Sequence, residues 1–105
     1  MIFVEAPPFE RVRQSYLDDD EYRLLQATLM ANPAAGDLIR GSGGIRKIRW
    51  ASAGTGKRGG LRVIYYWITK HDHVLLLTMY RKSEVSDLTP LEVRALRALV
   101  ESLEG

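Results

Sequence analysis

The residues best suited to chemistry in this chain are basic, and they sit on three short apolar runs. Residues 45–50 read IRKIRW, residues 61–68 read LRVIYYWI and residues 74–81 read VLLLTMYR. Each run is rich in β-branched or aromatic residues and reads as a strand. Side chains alternate along a strand, so Lys47 and Arg49 share one face, with Arg46, Ile48 and Trp50 opposite. Arg62 falls on a face with Ile64 and Tyr66, while Thr78, Tyr80 and Lys82 form a third set. If the three sets meet on one side of a sheet, Lys47, Arg49, Arg62, Tyr80 and Lys82 gather together. Such a cluster suits the binding of a polyanion. Tyr65, Tyr66 and Trp67 read as core.

The segment Gly54-Thr55-Gly56-Lys57-Arg58-Gly59 matches the dinucleotide fingerprint G-x-G-x-x-G letter by letter. That fingerprint needs a helix after its last glycine, because the helix N-terminus holds the pyrophosphate. Here Gly59 and Gly60 lead into a strand-like run instead. A P-loop fails as well, since Arg58 stands where Ser or Thr is required. The glycines read as a hairpin loop, with Lys57 and Arg58 at its tip available to a nucleic-acid backbone.

Charge is distributed to match. The 105 residues carry a net charge of only +2, yet residues 38–83 hold ten basic side chains against one acid, Asp72. The flanks are acidic: residues 1–37 carry seven acids and three bases, and residues 84–105 five and two. A basic centre of this kind points to a polyanionic partner.

Other chemistries find little support. There is no cysteine, so disulfides and thiolate ligands are excluded. His71 and His73 flank Asp72 in a short turn and read as turn polarity rather than metal ligands. The acids at 18–21 read as a helix start. Ser42, Ser52, Ser83 and Ser86 have no visible base, so a hydrolytic triad is not supported. No metal or cofactor is expected. No apolar run reaches 18 residues, and the N-terminus lacks the pattern of a signal peptide. A cytoplasmic protein without membrane contact is expected.

The elements that would position the cluster follow from local signals. Residues 2–4 read as a first strand, broken by Pro7 and Pro8, with a short helix presenting Phe9, Val12 and Tyr16. Asp18 and Glu21 form a capping box for a helix over 19–31, ended by Asn32 and Pro33. Residues 33–44 read as a connector. Thr89, Pro90 and Glu92 supply cap, first-turn proline and box for a last helix with Leu96, Leu99, Val100 and Leu103 on its apolar face. The order is β-α-α-β-β-β-α, an α+β domain spanning residues 1–105, with an antiparallel meander at its centre.

With these elements in place, GIRKIRWASAGTGKRGGLRVIYYW and LLLTMYRKSEVSDLTPLE resemble the RelE/ParE superfamily of toxins from type II toxin–antitoxin systems. The likeness is strongest to the HigB-like branch with a GKRGG loop, and it extends to EYRLLQATLMANP and the GSGG connector. The resemblance implies a small RelE-like α+β fold, with a curved antiparallel sheet and helices packed on one side. It implies a ribosome-dependent, metal-independent mRNA endonuclease that enters the ribosomal A site and stops translation. It implies an antitoxin partner, a helix-turn-helix protein of the HigA kind.

Carried over residue by residue, the family's basic pair matches Lys47 and Arg49, its strand arginine Arg62, and its basic residue past the last strand Lys82. The catalytic set is then Arg62, Lys82, Lys47 and Tyr80. Arg49, Lys57, Arg58, Arg46 and Arg81 are expected to bind RNA or ribosome. The C-terminal tyrosine of some members has no counterpart after Tyr80. Two other readings stay open: a ParE-like gyrase inhibitor that cuts no RNA, and a non-catalytic nucleic-acid-binding module.

Overall fold

The computed structural model describes residues 1–51 and 60–104. Five strands and three helices follow in the order β1 (Ile2–Glu5), α1 (Pro7–Tyr16), α2 (Asp19–Ala31), β2 (Asp37–Leu38), β3 (Arg46–Trp50), β4 (Leu61–Ile68), β5 (His73–Arg81) and α3 (Pro90–Glu104). The α+β class and the expected order stand, with one addition: β2, two residues long, lies within the expected connector.

Local chemistry accounts for the helices. Pro7 and Pro8 occupy the first turn of α1, where a missing N–H costs nothing, so they open the helix rather than precede it. In α2 the Asp18 carboxylate accepts from Glu21 N at 2.7 Å, and the Glu21 carboxylate accepts from Asp18 N at 3.3 Å. Thr89 and Glu92 make the same reciprocal pair at the start of α3. Each box satisfies amide donors that the helix itself leaves without acceptors.

The sheet order is β1-β5-β4-β3-β2. The pairs β2–β3, β3–β4 and β4–β5 are antiparallel, whereas β1 lies parallel to β5 at the edge. Helices α1 and α2 carry the chain from one edge of the sheet to the other.

Both faces of the sheet are covered. Phe9, Leu17, Leu25 and Leu29 pack on Ile48, Leu61, Val63, Tyr65, Val74, Leu76 and Met79. On the other face Leu96 and Val100 of α3 pack with Ile45, Ile64, Leu75, Leu77 and Tyr80. The helices therefore do not all lie on one side, as the resemblance implied. The cause is visible in β4, where Leu61 to Tyr65 are all buried. A strand apolar on both faces needs cover on both.

One irregularity in β5 controls what the α3 face displays. Ile64 pairs with Thr78 but Tyr65 pairs with Leu76, so Leu77 is an extra residue, a β-bulge. Before it, Val74 and Leu76 face α1 and α2; after it, Met79 does and Tyr80 faces α3. Uninterrupted alternation from Leu76 would turn Tyr80 toward α1 and α2. The bulge turns it to the face that carries Arg62.

Candidate active site

Register brings the predicted cluster together. Arg49 on β3 pairs with Arg62 on β4, and Arg62 pairs with Tyr80 on β5. The three residues form a cross-strand row on the α3 face. Lys47 belongs to the neighbouring row, opposite Ile64, which pairs in turn with Thr78. Lys82 N donates to Gly60 O at 2.8 Å, which continues the ladder two residues past the Arg62–Tyr80 pair. Directly opposed same-face side chains lie about 4.5–5.5 Å apart at Cβ, so Arg49 and Arg62 form a like-charged pair that costs stability.

Arg62 and Tyr80 are both buried, each only 8% exposed. Arg62 Nη1 donates to the Leu61 carbonyl at 3.4 Å. Burial pushes the Tyr80 phenol above its ordinary range; the Asp87 and Glu92 carboxylates add to this, while Arg62 opposes it. Tyr80 is therefore a neutral hydroxyl around pH 7, able to donate a hydrogen bond or a proton and unsuited to act as a base.

Asp87 is the acid the sequence reading passed over. Its carboxylate lies 3.7 Å from Lys47 Nζ and also accepts from Leu88 N at 2.9 Å. It belongs to the β5–α3 loop, and nothing in the sequence around it signals proximity to β3.

A cleft of about 590 Å³ opens beside the row, between β2–β3 and the first half of α3. Lys47 and Arg49 line it together with Arg40 and Arg94, over an apolar floor that includes Leu38, Ile39, Leu88 and Val93. Asp37 and Asp87 are its acids. A second hollow of about 310 Å³ lies at Tyr80, lined mainly by Val85, Leu88, Leu96 and Leu99.

Two of the predicted RNA contacts lie elsewhere. Arg46 is on the α1–α2 face, where its Nη1 donates to the carbonyls of Gly36 at 2.8 Å and Ala34 at 3.3 Å. Arg81 is on that face too, with its guanidinium 5.0 Å from the centre of the Tyr16 ring. Strand alternation is the reason: each is the immediate neighbour of a residue on the α3 face. The expectations for Lys57 and Arg58 fall outside the described residues.

The aromatic run of β4 is built in as expected. The buried Tyr65 hydroxyl donates to Pro33 O at 2.7 Å and accepts from Gly36 N at 2.8 Å, fixing the connector before β2. A Cβ on Gly36 would come within 2.9 Å of that hydroxyl. The rings of His71, in the β4–β5 turn, and His73, at the start of β5, lie 5.8 Å apart and tilted at 42°. Among the described residues no three His, Cys, Asp or Glu side chains are grouped to hold a metal ion, and no helix is long and apolar enough to cross a membrane.

The sequence model described as "RelE toxin of RelE / RelB toxin-antitoxin system" matches residues 2–105. Among solved structures the chain is similar to that of E. coli toxin RelE, a double arginine-to-alanine mutant in the free state. The TM-score is 0.53 at 14% identity, over 92% of this chain and 93% of that one. At that identity the likeness concerns the fold.

Proposed function

The chain belongs to the RelE toxin family of toxin–antitoxin systems, and from that premise we propose that it is a ribosome-dependent, metal-independent mRNA endonuclease that halts translation. The observation that carries this reading is the Arg49–Arg62–Tyr80 row with Lys47 beside it. The reaction it suits is attack of a ribose 2′-hydroxyl on the adjacent phosphorus. The hydroxyl proton leaves to a base, the bond from phosphorus to the 5′-oxygen breaks, and that oxygen takes up a proton. A 2′,3′-cyclic phosphate and a 5′-hydroxyl result. Arg62 neutralises the charge that builds on the phosphorane, in a site dry enough to strengthen the interaction. Tyr80, protonated and adjacent, donates to a phosphoryl oxygen or to the leaving oxygen. Lys47 and Lys82 are the candidates for moving the remaining proton. Arg49, Lys57 and Arg58 hold the backbone, while Arg46 and Arg81, on the far face, take no part.

The ribosome supplies the substrate geometry that a cation cluster lacks, so translated mRNA in the A site is the target. A helix-turn-helix antitoxin of the HigA kind, implied by the GKRGG segment at 56–60, neutralises this single-domain toxin in the cytoplasm. Induction of the protein alone, with pulse-labelled protein and DNA synthesis followed together, tests the reading. Translation should stop first, and purified protein should cut mRNA on programmed ribosomes while leaving free RNA largely intact, with or without EDTA in the free-RNA assay. Collapse of DNA synthesis before translation would replace the reading with gyrase inhibition.

A further inference from the structure

We propose that the cleft between β3 and α3 is a second RNA subsite, in which Arg40 and Arg94 grip the phosphate of a nucleotide flanking the one that is cut. The proposal rests on the nuclease reading above and extends it to where the strand runs.

Four cationic side chains line this cleft against two carboxylates. Arg40, Lys47 and Arg49 come from the β2–β3 wall and its adjoining turn, and Arg94 from α3. Facing cations with an excess of positive charge repel one another, and an anion between them removes that cost. Within the cleft, the Lys47–Asp87 contact is the ion pair the structure defines. At 3.7 Å, with the aspartate side chain 73% exposed, it is a weak pair that a phosphate can displace.

The ligand class follows from the walls. Guanidinium forks suit phosphate oxygens and also stack on base planes, and an apolar floor tolerates any base. Single-stranded RNA offers both features, and inorganic phosphate only the first. Arg49 links the two sites, since it lines the cleft and also stands opposite Arg62 in the catalytic row. Adjacent strands lie about 4.8 Å apart, so a backbone with one phosphate at Arg62 enters the cleft within about one nucleotide.

Neither Arg40 nor Arg94 is buried, so replacing both with Ala leaves the core untouched. The experiment titrates binding of a short single-stranded RNA oligonucleotide against salt, and measures cleavage on programmed ribosomes, for the full-length protein and the double variant. Losing the one phosphate that the pair holds should flatten the slope of log K against log salt by about 0.7. KM on ribosomes should rise on the order of tenfold, with kcat kept. Inorganic phosphate as competitor should relieve the wild-type protein of only part of its RNA, because it lacks the base.

An unchanged slope and KM in the double variant, with Arg62→Ala still abolishing cleavage, overturns the subsite and leaves the nuclease. A flattened slope in a protein that cuts nothing on ribosomes keeps Arg40 and Arg94 as RNA contacts and overturns the nuclease, and with it their place beside a scissile phosphate. Unchanged RNA binding with lost neutralisation by the antitoxin overturns the RNA assignment in favour of an acidic protein segment. Failure of the wild-type protein to bind the oligonucleotide at low salt also overturns it.

Discussion

The two faces of the sheet treat charge in opposite ways. Toward α1 and α2 several polar side chains are paired across elements, although the Trp67 Nε1 is buried without a hydrogen-bond partner among the described residues. Arg13 pairs with Asp19, Tyr22 donates to Glu5, Tyr16 donates to Glu84 under the Arg81 guanidinium, and Arg46 caps two carbonyls. Toward α3, Arg97 of the helix pairs with Glu101 and Glu104, but on the sheet itself Arg49 stands opposite Arg62 and Lys47 meets the Asp87 carboxylate at 3.7 Å. One face is organised to hold the fold together. The other gathers like charge across two neighbouring strands, an arrangement that an anion would neutralise.

The sharpest way to test that contrast is Arg62→Ala. Single-turnover cleavage on ribosomes should fall about 10²–10³-fold, the usual cost of removing one preorganised donor to a developing anion. Thermal unfolding should show the folded state retained, with any loss of stability small beside the loss of cleavage, because removing this buried side chain also removes a like charge opposite Arg49. A large drop in Tm with cleavage retained would reverse the roles of the two faces.

Tyr65→Phe is the mirror experiment. It leaves the buried Gly36 amide without its acceptor and should cost about 1–3 kcal/mol in denaturant unfolding. Cleavage per folded molecule should stay unchanged, and Gly36→Ala should act in the same direction because its methyl meets the same hydroxyl.

A smaller effect is expected at alkaline pH. Burial and the Glu5 carboxylate raise the Tyr22 phenol well above its ordinary value, and burial raises Tyr65 and Tyr80 too. Below about pH 10 these hydroxyls are protonated in both folded and unfolded chains, and their contribution to stability is fully present. Above that, the unfolded chain ionises first and stability falls, continuing to fall until the folded phenols ionise. Tyr22→Phe should flatten this fall in urea midpoints measured between pH 9 and 11; an unchanged profile would show that Tyr22 is not its source.

The smallest effect belongs to Asp19→Asn. The Arg13–Asp19 contact is 2.9 Å, but the carboxylate is largely exposed, so the change in unfolding free energy should stay below about 1 kcal/mol. A larger loss would mean that the α1–α2 junction depends on this pair.

Much of this arrangement was legible from residue order alone. The cap boxes at Asp18 and Thr89 fixed the starts of α2 and α3, since a cap is a local event within four residues. Alternation grouped Lys47 with Arg49 and set Arg46 on the opposite face, as the register has it. The bulge at Leu77 was not visible, because Val74 to Leu77 are apolar on both faces and carry no mark of register. Strand β2 was missed because two residues have no periodicity. Asp87 and Arg94 were missed because they approach β3 only through the placement of α3, which depends on tertiary packing.

The parallel edge strand has a kinetic consequence. Ile2 pairs with His73 and Glu5 with Leu76, so the first strand synthesised must wait for the last. Such distant pairing makes for slow folding, because the intervening chain loses its freedom before the contact forms. β5 is also the strand that carries Tyr80 to Arg62. Closure of the fold and assembly of the catalytic row therefore depend on the same late strand, and a nascent chain that has not reached residue 80 carries arginines without their tyrosine.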